Sequence, residues 1–161
     1  MQIRKAEIND IPTIQAIAEQ AWRPTYGSIL SEEQCVYMLD MMYRTEVLKK
    51  QFEGNVHFFM LESEEGAIGF AAYEAMNEHE GKLHKIYLRP LQKSQGAGTF
   101  LLEYVAGFAK ENGQKAMYLN VNRHNSAVQF YLKRGFQIDQ ELDLHVGEGY
   151  YMNDYIMKRE L

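Results

Sequence analysis

Residues 88–102 read LRPLQKSQGAGTFLL. Their left end closes an apolar run of strand length, Leu83–Leu88. Their right end opens Gly98–Ala109, where Leu101, Leu102, Val105 and Ala109 recur at helical spacing. Gly113 stops that helix, and Ala116–Val121 follows as another apolar strand. Strand, helix and strand in that order predict two parallel strands joined by a crossover. The loop between them carries Gly96 and Gly98, one residue apart, at the helix start. Free N–H groups and the positive end of the helix dipole attract an anion at such a junction, and glycine lets the backbone come close to it.

Around this unit the pattern is mixed. Ile3–Glu7 reads as a first strand, and Asn9 or Asp10 as the cap of a helix with Pro12 in its first turn. Ile14, Ile17, Ala18, Ala21 and Trp22 give that helix an apolar face, and Pro24 is expected to end it. A second helix starts after Ser31 and carries Val36, Leu39 and Met42; a short third covers Thr45–Phe52. Val56–Leu61 and Ala67–Tyr73 form a hairpin around Ser63–Gly66, with Glu62, Glu64 and Glu65 in solvent. After the central unit, Asn125 caps a helix carrying Ala127, Phe130, Tyr131 and Arg134, which Gly135 closes. Phe136–Leu144 and Tyr150–Met157 are the last two strands. The fold class is α/β in the broad sense (α+β). It has a mixed, mostly antiparallel central sheet of six to seven strands flanked by helices.

Composition narrows the function. The 161 residues, 46% hydrophobic and 24% charged, suit one soluble domain over residues 1–161. A net charge of -5 argues against nucleic acid as a partner and is compatible with a cationic substrate. Cys35 is the only cysteine and reads as a small packing residue; with no secretory leader and no bilayer-length apolar run, the expected compartment is the cytoplasm, away from membranes. The five histidines lack metal-ligand spacing, so no metal is expected.

The loop fits neither of two common phosphate motifs. The dinucleotide fingerprint needs a third glycine where Leu101 stands, and a Walker loop needs Lys and Ser or Thr after Gly98, where Thr99 and Phe100 stand. Lys93-Ser94-Gln95-Gly96-Ala97-Gly98 does match Q/R-x-x-G-x-G/A apart from its first residue. Without a ligand the same glycines would make a tight turn before a helix. The stretch Asn122–Phe136 carries a second pattern, N-x-A-x-x-F-Y-x-x-x-G-F, matched at Asn125, Ala127, Phe130, Tyr131, Gly135 and Phe136. The two patterns together resemble the GCN5-related N-acetyltransferases, the GNAT family.

That resemblance implies an enzyme using acetyl-CoA as cosubstrate. It implies that Lys93, Ser94, Gln95, Gly96, Ala97, Gly98 and Thr99 hold the pyrophosphate, with Lys93 in place of the usual Gln or Arg. A lysine keeps the charge but loses the planar fork. It implies two splayed central parallel strands, with the pantetheine arm pairing to Ile86, Tyr87 and Leu88 as an added strand would. Asn125 becomes a partner of the coenzyme arm, and Tyr131 the acid that reprotonates the departing thiolate. Phe130 is read as core. A base must free the acceptor amine, and Glu74 and His84 are the candidates.

The resemblance also implies an acceptor wall between the first two helices, where Trp22 and Tyr26 could face a cation. Tyr151, with Tyr150, Asn153 and Asp154, would close the other side. Residues 146–157 and 37–43 resemble, more loosely, bacterial spermidine/spermine N-acetyltransferases within the family. The expected acceptor is a small-molecule amine, and the looser resemblance implies a polyamine; protein N-termini or lysines, and a coenzyme A-binding module without catalysis, are the alternatives. Monomer and homodimer are equally open.

Overall fold

Seven strands form one sheet in the order β1-β2-β3-β4-β5-β7-β6. In the computed structural model, residues 1–92 and 96–161 are described; Lys93, Ser94 and Gln95 lie outside the described residues. The strands are β1 (Gln2–Lys5), β2 (Val56–Ser63), β3 (Gly66–Ala75), β4 (Glu80–Leu88), β5 (Ala116–Asn122), β6 (Gln137–Gly147) and β7 (Tyr150–Glu160). The helices are α1 (Ile11–Tyr26), α2 (Glu32–Tyr43), α3 (Thr45–Glu53), α4 (Ala97–Glu111) and α5 (Ala127–Lys133). Every neighbouring pair is antiparallel except β4–β5, the crossover predicted from the central unit.

The sheet separates two apolar layers. On one face Leu101, Leu102 and Val105 of α4 and Val128 and Tyr131 of α5 pack on Ala71, Leu83, Leu119 and Val121. On the other, Ile14, Ile17 and Trp22 of α1, Met38 of α2 and Leu48 of α3 pack on Phe58, Met60, Phe70 and Ala72. Strands β2 and β3 are covered on both faces, which explains their continuous apolar runs.

Three local expectations are corrected. Pro24 does not end α1, which continues to Tyr26; a proline in the last turn removes only one internal hydrogen bond. Asp10 does not cap α1 with its side chain. Its carboxylate instead accepts from the Glu7 N–H at 2.8 Å and from Arg4 Nη1 and Nη2, each at 2.8 Å. Glu62 is not merely solvated, because its Oε1 accepts from Arg4 Nε at 2.8 Å, tying β1 to β2.

Candidate active site

Strands β4 and β5 stop pairing halfway. Their parallel register runs from Glu80↔Ala116 to Leu83↔Leu119 and no further. Past that point Lys85–Leu88 and Asn120–Asn122 run on as neighbours without a shared ladder. The opening holds a cavity of about 340 Å³, a volume in the usual range for small-ligand sites. Leu83–Leu88, Leu119–Val121, Gly98, Asn125–Ala127, Phe130 and Tyr131 line it, with Pro24–Tyr26 at the end of α1. The lining draws on both layers, so the cavity passes from one face of the sheet to the other.

On the α4–α5 face the sequence signatures meet. Gly96 takes a left-handed conformation, φ 74°, to start α4, and among the described residues Phe100 N–H is the first to bond back, onto Gly96 O at 2.9 Å. The N–H groups of Ala97, Gly98 and Thr99 therefore stand ahead of the helical ladder. A Cβ on Gly98 would come within 3.5 Å of Leu88 Cδ1 and 3.6 Å of Phe130 Cζ, filling part of the cradle. Thr99 Oγ1 is engaged by Arg134 Nε at 2.8 Å and Nη2 at 2.6 Å, and the Arg134 guanidinium lies 4.5 Å from the Phe130 ring centre. The start of α4 and the end of α5 are thus one clamp. Asn125 Oδ1 accepts from Ala127 N–H at 2.9 Å, a turn that leads into α5, but the N-cap position is Ser126 and not Asn125 as expected.

Tyr131 is buried against Phe130 and Phe136, with ring centres 5.3 and 5.6 Å apart. Burial pushes its phenol well above the ordinary value, and nearby Tyr26 pushes the same way. It stays a protonated donor. Phe130 is more than core, since it lines the cavity and supports Arg134.

The α1–α3 face carries the candidate bases. The β3–β4 register skips one residue, Tyr73↔Leu83 then Ala72↔Lys85, so His84 is the extra residue of a bulge. His84 Nε2 lies 2.8 Å from Glu74 Oε2, each about a quarter exposed. Burial pulls the imidazole below its ordinary value of 6.5, while Glu74 pulls it back up, so it is neutral at neutral pH. A carboxylate only accepts, which puts the ring proton on Nε2 and leaves Nδ1 as the basic lone pair. Beside it, Lys85 is turned into the core, donating to Gln51 Oε1 at 2.9 Å and lying 5.4 Å from the Tyr43 ring centre. Burial lowers its ammonium to about 8.

The proposed acceptor-wall residues divide. Tyr26 lines the cavity, its hydroxyl 3.4 Å from that of Tyr87. Trp22 does not reach it. At 1% exposure it is a core anchor behind Tyr26, ring centres 4.5 Å apart. Tyr151 does not reach it either, being 52% exposed and set against His145 on the outer side of the hairpin. Alternation along β7 brings Met152 and Asp154 inward instead. Sequence reasoning missed Asn120 in the lining; a polar residue inside an apolar strand was its only signal. Among the described residues no cluster of His, Cys, Asp or Glu is placed to hold a metal ion, and no helix is long and apolar enough to cross a membrane.

A seven-stranded mixed sheet opened between its parallel strands, with a glycine cradle at a helix start, fits the class of acyl-CoA-dependent acyltransferases. The family model for the acetyltransferase (GNAT) domain matches residues 28–146, and the chain belongs to that family. It is an acetyltransferase, and acetyl-CoA is its cosubstrate. It is 28% identical over 145 residues to a spermidine N(1)-acetyltransferase of Thermoplasma acidophilum, covering 86% of this chain and 89% of that protein. It is also 28% identical over 134 residues to an uncharacterised N-acetyltransferase of Bacillus subtilis, covering 80% and 76%. The crystal structure of the PaiA N-acetyltransferase of T. acidophilum in complex with coenzyme A superposes with a TM-score of 0.85 at 27% identity, covering 99% of this chain and 98% of that one.

Proposed function

We propose that the protein transfers an acetyl group to a primary amine of a small cationic molecule, with polyamines as the substrate class. The observation that carries this reading is the opening through the sheet: it has the Tyr131 phenol on one face and the His84–Glu74 pair on the other. Coenzyme binding fits the free N–H groups at the start of α4, the cradle at Gly98 and the unpaired edges of β4 and β5. Acetyl-CoA supplies the activated acetyl thioester. Ile86, Tyr87 and Leu88 offer backbone groups to its arm, and Asn125 offers its amide.

His84 then acts as base. Its Nδ1 lone pair takes a proton from the acceptor nitrogen, and Glu74 on Nε2 steadies the imidazolium that forms. The nitrogen bonds to the acetyl carbon as the carbon–sulfur bond breaks. Tyr131 gives its hydroxyl proton to the departing sulfur. A phenol held above its ordinary pKa is a weak acid, but the same apolar surroundings also disfavour a bare thiolate, so the transfer remains accessible.

Outside the cavity, Tyr37 hydroxyl donates to Val146 O at 2.7 Å and Gln34 Nε2 to Tyr151 O at 2.8 Å, and this tie between α2 and the β6–β7 hairpin favours a small acceptor over an extended peptide. The similarity to a spermidine N(1)-acetyltransferase supports the polyamine class. The test is thiol release from acetyl-CoA with spermidine, spermine, amino acids, aminoglycosides and short peptides. Turnover confined to polyamines is expected; turnover with peptides alone would overturn the small-molecule reading.

A further inference from the structure

Asp154 is the one carboxylate with a fully buried, unpartnered oxygen among the described residues. Its residue is 5% exposed, Oδ1 has no hydrogen bond, and Oδ2 has one long one, from Asn120 Nδ2 at 3.4 Å. No ion pair of the described residues involves it. Burial raises its carboxyl above the ordinary value; the Asn120 bond, Lys82 and Arg123 only partly offset this, and Arg123 is committed to Glu141 and Asp143. A carboxylate buried with so few partners is costly unless something cationic completes it.

Its place suggests what. Asp154 faces the α1–α3 side, as His84 and Glu74 do, because it pairs with Asn122 two residues beyond Asn120. Asn120 lines the cavity in front of it, and the cavity-lining Tyr26 phenol feels its charge. With Nδ2 turned to the carboxylate, Asn120 Oδ1 is left for a second donor. Two acceptors, one of them anionic, suit an ammonium. The reacting nitrogen is the wrong ammonium for it. Attack needs a neutral amine, and a bare carboxylate beside that nitrogen would hold it protonated.

We propose that Asp154 and Asn120 form a subsite for a second, non-reacting ammonium of the acceptor, so that diamines and polyamines are selected over monoamines. This rests on the amine-acetylation reading above. The contact would form when the Asn120 amide yields its long bond to the arriving cation.

The experiment compares butylamine with 1,4-diaminobutane, which share a chain and differ by one ammonium. The wild type is expected to favour the diamine by about 10- to 100-fold in kcat/KM, the range of a charge-assisted hydrogen bond. In Asp154→Asn that ratio should fall to within about threefold, chiefly through KM. Taking a ratio cancels any general loss of activity. Asn120→Ala, expected to lower the ratio by a smaller factor, carries the test should Asp154→Asn fail to fold. Calorimetric binding of both amines to the coenzyme A-loaded protein reads the subsite without catalysis. A preference for the diamine in binding, lost in the variant, supports the subsite even if no amine turns over and the amine-acetylation reading falls. No preference in the wild type, or one that survives Asp154→Asn, overturns it.

Discussion

Replacing Lys85 with methionine should stabilise the protein at neutral pH, and by less as the pH rises. The ammonium sits 5% exposed between β4 and α3, with Gln51 as its hydrogen-bond partner and the Tyr43 and Phe58 rings nearby. Burial lowers its pKa from 10.5 to about 8. The unfolded chain therefore holds the proton more tightly than the native one. Stability from this group is present above the unfolded value and is lost as pH falls through the native one. Worked through the two pKa values, the burden is about 3 kcal/mol at pH 7 and about 1.4 kcal/mol at pH 9.5. Methionine has a similar length and no charge. It forfeits the Gln51 bond, about 1 kcal/mol, which a half-buried amide partly recovers from water. Lys85→Met should thus gain about 2 kcal/mol at pH 7 and almost nothing at pH 9.5. Urea unfolding of both proteins at the two pH values measures this, and the difference of about 2 kcal/mol between them does not depend on the Gln51 loss. An equal effect at both pH values would refute the argument, because Lys85 would then not titrate in that window.

Tyr131→Phe should lower kcat by about 10²-fold or more with little change in acetyl-CoA affinity, since it removes the hydroxyl and leaves the ring packing in place; an unchanged kcat, followed by thiol release, removes Tyr131 from the chemistry. The acidic limb that His84 contributes to the kcat/KM–pH profile should lie below pH 6.5, the ordinary histidine value, because burial lowers His84. Glu74→Gln should move it lower still, as the carboxylate is what pulls the imidazole back up; a limb that rises or stays put would show that His84 is not the titrating base. Gly81→Ala should destabilise by about 1–3 kcal/mol in chemical denaturation, because a methyl there overlaps the hydroxyl of the buried Tyr73; full stability would mean that the ring can move aside.

The proposed coenzyme half of the site was legible because it rests on local pattern. Gly96, Gly98, Asn125 and Tyr131 stand in a loop, at a helix start and on one helix face, all of which leave a spacing in the chain. The acceptor half is assembled across strands, and spacing there says less. Trp22, singular and aromatic, attracted a binding role, yet helical geometry sends it into the core behind Tyr26. Tyr151 and Asp154 sit on opposite sides of β7 by strict alternation, and which side is inward depends on a register with β5 that no local pattern fixes. The Arg134–Thr99 bond joins residues 35 positions apart. Each signature could be read alone, but not the clasp between them.

The bulge at His84 also keeps count for the whole strand. Before it, Leu83 points to the α4–α5 layer from an odd position; after it, Ile86 and Leu88 point there from even ones, while Tyr87 faces α1. Odd and even exchange roles at a single extra residue. Two adjacent side chains, His84 and Lys85, are thereby delivered to one side of a strand whose pleat otherwise forbids it. Removing His84 would restore the even beat and leave Lys85, Ile86, Tyr87 and Leu88 on the faces they now hold, with no imidazole beside Glu74. The extra residue is therefore room for one more side chain: it sets an imidazole against Glu74 without turning any neighbour away from the opening.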